Sequence, residues 1–325
     1  MIISRTPLRI SLAGGGSDLP AFWTREAGAV TSMSINKYIY ITVNQKFDSK
    51  IRASYSRTEI VDSVDELQHE LIREALRLVG ITGGIEVTSI SDIPSQGTGL
   101  GSSSTYTVGL LNALYTYLGK YADARRLATE ACWIEIELCG KPIGKQDQYI
   151  AAFGGLQHIQ FNTDGSVFVD PVICKPETKR KLDEHLLMLY TGLTRSADAI
   201  LAEQQENLAQ NDKHRVTRRL ANLAREMRDA ITADDLVAVG ELMHSGWEEK
   251  RKLASGISSA RIDAWYETAR KHGAIGGKIA GAGAGGFLVL FVPPEKQGDV
   301  ITALPELRPV PFAFEPQGSK IIYIE

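Results

Sequence analysis

Between Pro94 and Ser104 the chain reads Pro-Ser-Gln-Gly-Thr-Gly-Leu-Gly-Ser-Ser-Ser. A β-branched run, Ile85 to Ile90, precedes it, and a helix-forming stretch to about Leu118 follows. Glycine lets a backbone pass close to a ligand. A serine-opened helix presents first-turn N–H groups without partners inside the helix, and its dipole favours negative charge there. Strand, glycine loop and helix in this order make a phosphate cradle. The serine hydroxyls can add hydrogen bonds to phosphate or reach a Mg²⁺ ion. Any single residue here would equally suit a capped helix after a loose loop; the whole string favours the anion. Pro94, Gly97, Gly99, Leu100, Gly101, Ser102, Ser103 and Ser104 are therefore the candidate nucleotide-phosphate residues.

Two other phosphate motifs are excluded. A Walker A loop needs a glycine, four residues, then Gly-Lys-Ser/Thr. The stretches Gly140–Lys145 and Gly273–Lys278 have the wrong spacing and run into Gln146 and Ile279. Gly281, Gly283 and Gly286 satisfy the dinucleotide spacing, but a helix should follow. Phe287 to Val292 reads instead as a strand, so this cluster is a tight loop whose backbone nears a ligand or another loop. A purely structural turn is the competing reading.

The elements that must carry these loops follow from periodicity. Ile2 to Leu12 reads as a strand entering Gly14-Gly15-Gly16, and Tyr38 to Val43 as a second strand. Ser63 and Glu66 form a capping-box pattern ahead of one helical face that runs to Val79 and stops at Gly80. Helices are expected near 102–118 and 123–138, and strands near 155–161 and 167–172. Past a strand at Leu186–Tyr190, helices are expected near 195–209, 212–230, 233–252 and 258–272, then strands around the last glycine cluster and at Ile321–Ile324. Strands and helices mix without strict alternation, which gives an α+β fold of two domains. The boundary is expected near residue 175, in the polar stretch Lys175 to Lys181, separating 1–174 from 175–325.

Composition narrows the function. Net charge is −3 over 325 residues, which argues against a nucleic-acid partner. Three scattered cysteines form no disulfide framework or zinc motif, consistent with a reduced, cytoplasmic setting. No run approaches the ~18 apolar residues of a membrane span. The six histidines are dispersed and receive no role.

Three motifs in order resemble the GHMP kinases, a superfamily that includes galactokinase, homoserine kinase and mevalonate kinase. They are Thr6-Pro7-Leu8-Arg9-Ile10-Ser11 with Gly14-Gly15-Gly16-Ser17-Asp18, the run Pro94 to Ser104, and Gly281 to Phe287. Within the superfamily the chain looks most like bacterial D-glycero-α-D-manno-heptose 7-phosphate kinases, with fucokinases nearby. Tyr190 to Arg195 and Trp247 to Leu253 share that look. The resemblance implies a two-domain GHMP kinase fold with the site in the cleft between domains, the second domain ferredoxin-like. It also implies an ATP-dependent sugar-1-kinase requiring Mg²⁺ and acting on a small sugar phosphate, as a monomer or homodimer. A fucokinase- or galactokinase-like enzyme, or an inactive regulatory member, is the alternative.

Site residues carry over by position. Galactokinases have Gly-x-Pro-x-Gly-x-x-Asp-Gln with a glutamate five residues ahead; here Gly140 to Gln148 and Glu135 match. The resemblance makes Asp147 the catalytic base, Arg9 its cationic partner, and Glu135 with Ser103 the Mg²⁺ ligands. Taken alone, Asp147 reads as a surface loop carboxylate. Gly15, Gly16, Ser17, Asp18 and Gly283 fall to the sugar, although Gly15-Gly16 replace the Glu-His of galactokinases. An acceptor with its own phosphate needs further cations, and Arg195, Lys145, Lys250 and Lys252 are candidates. Arg195, beside Thr194 at an expected helix start, is preferred. For Lys250 to Lys252 the competing reading is solvated helix charge.

Overall fold

The computed structural model describes residues 1–94, 97–193 and 197–325. Its spine is an eight-stranded sheet. Strand Ile2–Ala13 lies between Lys320–Ile324 and the long strand Gly28–Gln45. The last half of that long strand pairs with Ile85–Ser91, and its first half with Leu156–Phe161. Ile51–Ser54 and Thr58–Val61 extend one side and Val167–Pro171 the other. The β-rich segment Tyr38 to Val43 shows the period of two that this demands: Ile39, Ile41 and Val43 are buried, while Tyr38, Tyr40 and Thr42 are half-buried. A second, antiparallel sheet orders Arg308–Pro309, Leu186–Tyr190, Phe287–Phe291 and Gly276–Ile279. Phe287–Phe291 is apolar throughout because both its faces are covered.

One hydrophobic core runs through both sheets. Helix Asn211–Thr232 lies against the first two long strands, and the Thr31 hydroxyl donates to the Ala224 carbonyl at 2.7 Å. Helix Leu236–Lys250 packs on strand Gly276–Ile279. Among the described residues no helix is long and apolar enough to cross a membrane.

Three expectations need correction. The helix expected from Ser63 splits into a single turn, Val64–Glu66, and a helix Glu70–Val79 capped by His69; the Ser63 hydroxyl donates to its partner Glu66 at 3.0 Å instead of capping. The unit expected over 175–325 yields its last strand to the first sheet, where Lys320–Ile324 pairs with Ile2–Arg5. The helix expected over 123–138 is capped by Asp123 but changes to a π-turn at Trp133–Leu138.

His158, on the strand Leu156–Phe161, is buried against the Thr31 hydroxyl at 3.0 Å. Burial, reinforced by Arg228 and Arg225, pushes the imidazole down to about 4. Unfolding frees it to take up a proton near its ordinary 6.5. Between those values the unfolded chain binds more protons. This group's contribution is therefore complete above 6.5 and is lost as pH falls toward 4. In His158→Gln the urea midpoint should decline less steeply with falling pH across that window than in the wild type.

Candidate active site

Strand Ile2–Ala13 places Arg9 on the face opposite Leu8 and Ile10, and the guanidinium is nearly buried. Its Nε donates to Asp147 Oδ1 at 2.7 Å and its Nη2 to Oδ2 at 2.6 Å. The remaining arm, Nη1, donates to the Gly99 carbonyl at 2.7 Å. The strand also receives the loop through its backbone, since the Arg9 N–H donates to the Leu100 carbonyl at 3.2 Å. Asp147 sits in the first turn of helix Gln146–Phe153, not in the loop expected for it. Its side chain stays 22% exposed against 4% for Arg9, so a ligand can reach the carboxylate while the cation behind it is sealed.

The helix Ser102–Tyr117 begins at Gly101, which is left-handed and supplies no side-chain cap. Its first N–H groups are thus left for a ligand. Gly99 fixes where this loop can lie: a Cβ built on Gly281 would stand 2.5 Å from the Gly99 Cα. The second and third glycine motifs thereby meet: Gly281 seats the loop at Gly99 against the second sheet, and a Cβ on Gly283 would come within 2.6 Å of the Ile257 carbonyl. Beside Ser102 and Ser103 opens a cavity of about 780 Å³. Pro94, Ile90, Tyr55, His69 and Tyr106 line it. His69 stacks on Tyr106 at 5.2 Å and meets the edge of Tyr55 at 4.5 Å, making an aromatic wall.

The π-turn Trp133–Leu138 carries Glu135, which is fully buried. One wide turn of this kind shifts side-chain register, and such turns gather at functional sites. The Ser103 hydroxyl donates to Glu135 Oε1, and Gln148 Nε2 donates to Oε2 at 2.6 Å. Burial pushes the Glu135 carboxyl up to about 7, partly offset by the hydrogen bonds from Ser103 and Gln148. Gln148, one residue past Asp147, received no role in the sequence; its adjacency to Asp147 was the available signal.

Asp18 lies on the other side of Asp147, buried, with its carboxylate held by the N–H groups of Gly16 at 2.9 Å and Gln146 at 3.3 Å. Burial, and then the charge of Asp147, raise its pKa above the ordinary value. Gly144 allows this approach, since a Cβ there would collide with the Asp18 carboxylate. Gly15 faces Gln146 and Ser11, and Gly16 faces Gln204. Ser17 turns the other way: its hydroxyl donates to the Gly14 and Ala29 carbonyls and accepts from the Ala29 N–H, so it holds the turn and is not available to a sugar. Thr194 and Arg195 lie outside the described residues. Lys145 rests over the Trp23 ring at 3.9 Å and Lys252 pairs with Glu249 at 2.8 Å. Lys250 parts from its neighbours and is buried.

Residues 65–155 match the GHMP kinases N terminal domain, and residues 227–309 match GHMP kinases C terminal. The chain is similar to the D-glycero-alpha-D-manno-heptose 7-phosphate kinase of Campylobacter jejuni, 30% identical with 93% of each chain covered. It is also similar to a galactokinase of Pyrococcus furiosus, 26% identical with 92% of each covered. Among solved structures, a D-glycero-D-manno-heptose 1-phosphate kinase from Bacteroides thetaiotaomicron superposes with a TM-score of 0.81 at 26% identity, covering 100% of both chains. The chain belongs to the GHMP kinases, with their two-domain α+β fold. It is an ATP-dependent phosphotransferase.

Gly144→Ala should displace Asp18. A misplacement of about 1 Å in a positioned group can cost roughly 100-fold in rate, so kcat/KM should fall by about one to two orders of magnitude. Steady-state kinetics check this, with a melting curve to show that the variant is folded.

Proposed function

We propose that this kinase transfers the γ-phosphoryl group of ATP to the anomeric C1 hydroxyl of D-glycero-D-manno-heptose 7-phosphate, giving the 1,7-bisphosphate and ADP. The observation that supports it most is the two-pronged Arg9–Asp147 pair standing at the mouth of the uncapped helix Ser102–Tyr117. Two similar proteins are named for a heptose phosphate, a 7-phosphate in one name and a 1-phosphate in the other.

Phosphoryl transfer asks for positioning and charge neutralisation more than covalent chemistry. In this reading the nucleotide base enters the cavity walled by Tyr55, His69 and Tyr106, and its phosphates lie on loop 97–104. Asp147 accepts the acceptor's hydroxyl proton. Two of its lone pairs are committed to Arg9, which fixes the carboxylate plane, and a carboxylate has about four such sites. The acceptor oxygen forms the new P–O bond as the bond from the γ-phosphorus to the β–γ bridging oxygen breaks, and ADP leaves. Asp18 and the backbone of Gly15 and Gly16 bind sugar hydroxyls.

Glu135 and Ser103 suit Mg²⁺. Among the described residues no group of three His, Cys, Asp or Glu could hold a metal. One carboxylate and one hydroxyl leave the other positions to water and phosphate oxygens, as Mg²⁺ prefers. A fully buried carboxylate that burial drives toward protonation also gains from a cation beside it. When bound, the ion offsets charge on the β- and γ-phosphates. The inactive regulatory alternative leaves the retained Arg9, Glu135 and Asp147 unexplained.

An ADP-release screen across sugars and sugar phosphates tests the acceptor. Turnover should be highest with the heptose 7-phosphate, and ³¹P NMR of the product should show phosphate on the anomeric carbon. Turnover of free fucose with none of the heptose phosphate rejects this acceptor. Asp147→Asn should lower kcat by roughly 100- to 10,000-fold; unchanged turnover removes the base assignment.

A further inference from the structure

The reaction leaves two buried cations unused. Lys250 ends helix Leu236–Lys250, and Lys278 lies on strand Gly276–Ile279. They are 6% and 7% exposed. Lys250 Nζ donates to the Gly281 carbonyl, and Lys278 Nζ donates to the Ser11 carbonyl at 2.7 Å. An ammonium has three donors, and among the described residues each of these has one partner, a neutral carbonyl. Neither forms an ion pair among the described residues. A buried charge without a counter-charge is costly enough that proteins rarely keep one unless something binds it.

The surrounding charges do not meet the need. Arg9 spends its charge on Asp147. Asp18 is held by two backbone N–H groups and reaches neither lysine as a partner. Two ammonium groups therefore face one unshared carboxylate. The polar atoms around them are also short of partners. Ser11 Oγ, Gln146 Oε1 and Gln204 Nε2 are buried without a hydrogen bond. All three side chains converge on Gly15 and Gly16: a Cβ built on Gly15 would lie 3.7 Å from Ser11 Oγ and 3.6 Å from the Gln146 amide, and one on Gly16 would run into Gln204. Two ammonium groups, an unpartnered hydroxyl and the unpartnered Gln204 amide N–H suit an anion bearing several acceptor oxygens.

We infer that Lys250 and Lys278 bind the phosphate that the acceptor already carries, with Ser11 and Gln204 as hydrogen-bonding neighbours. The inference rests on the reading of the acceptor as a sugar phosphate. The nucleotide's own phosphates fall to loop 97–104 and the first turn of its helix, whereas Lys278 reaches the strand at Ser11, two residues beyond Arg9 on the side of the triple glycine. Burial, followed by repulsion from Arg9, pushes Lys250 down to about 8. Burial and then Lys250 push Lys278 well below its ordinary range. A phosphomonoester, carrying close to two negative charges at neutral pH, would restore both. The assignment favours Lys250 and Lys278 over the other candidates Lys145 and Lys252, while Arg195, preferred on the sequence, lies outside the described residues.

The test compares Lys250→Met and Lys278→Met with the wild type, using the C7-phosphorylated heptose and the unphosphorylated heptose as acceptors. Loss of a charge-assisted contact should raise KM for the phosphorylated acceptor by roughly 10- to 100-fold. KM for ATP should stay within about twofold, and the preference for the phosphorylated over the free sugar should collapse. Lys278→Arg should recover part of it. Inorganic phosphate offers a second measurement on the unaltered enzyme: it should inhibit competitively against the sugar phosphate. Equal losses with both acceptors, a rise confined to KM for ATP, or phosphate inhibition competitive only with ATP would overturn the assignment. If the heptose phosphate is the substrate and the variants keep its KM, the lysine assignment alone fails. If only free sugars are turned over, the acceptor reading fails and the lysine assignment falls with it.

Discussion

The site hangs on one ion pair whose cation is buried and whose carboxylate is partly exposed. Arg9 and Asp147 lie 138 positions apart in the chain and meet through two parallel N–H···O bonds. Desolvating two such charges costs several kcal/mol per ion, so the pair is weak evidence for stability and strong evidence for a fixed geometry. Arg9 spends its last arm on the Gly99 carbonyl, and its backbone N–H on Leu100. Strand, phosphate loop and the helix bearing Asp147 are therefore registered by one side chain. Removing either partner would strand the other and loosen the loop at Gly99 and Leu100.

The second constraint is a glycine-to-glycine contact. Gly99 and Gly281 approach so closely that neither tolerates a Cβ, and Lys250 reaches the carbonyl of Gly281 from the helix behind it. The second sheet thus supports the phosphate loop directly. The return of Lys320–Ile324 to the edge of the first sheet ties the chain's end to its beginning, where Lys320 is the register partner of Arg5.

Much of this was legible in residue order because the chemistry lies in glycines and short polar runs. The glycine loop ahead of Ser102, the triple glycine and the last glycine cluster stand out in the sequence, and the rejection of a dinucleotide fold at Gly281–Gly286 agrees with the strand Phe287–Phe291 that follows. Long periodic helices such as Ser102–Tyr117 and Asn211–Thr232 were readable from their spacing. Short strands at Ile51–Ser54 and Thr58–Val61, and helix Pro294–Ala303, passed unnoticed because they carry too few residues or too weak a pattern to stand out. The capping box at Ser63 misled because His69 caps the next helix instead. The π-turn that buries Glu135 left no periodic mark; only position within the motif pointed to that residue. Lys278 gave no local sign at all, since its neighbours Gly276, Gly277 and Ile279 read as an ordinary buried strand. Its meaning comes from Ser11, 267 positions away.

The most direct measurement is a crystal structure with Mg²⁺, a non-hydrolysable ATP analogue and the sugar phosphate. The account expects the γ-phosphate between Arg9 and the first turn of helix Ser102–Tyr117, with the acceptor hydroxyl in hydrogen-bonding contact with Asp147. A nucleotide bound with its γ-phosphate remote from Arg9, or an acceptor hydroxyl that approaches it from a side Asp147 does not reach, would contradict it.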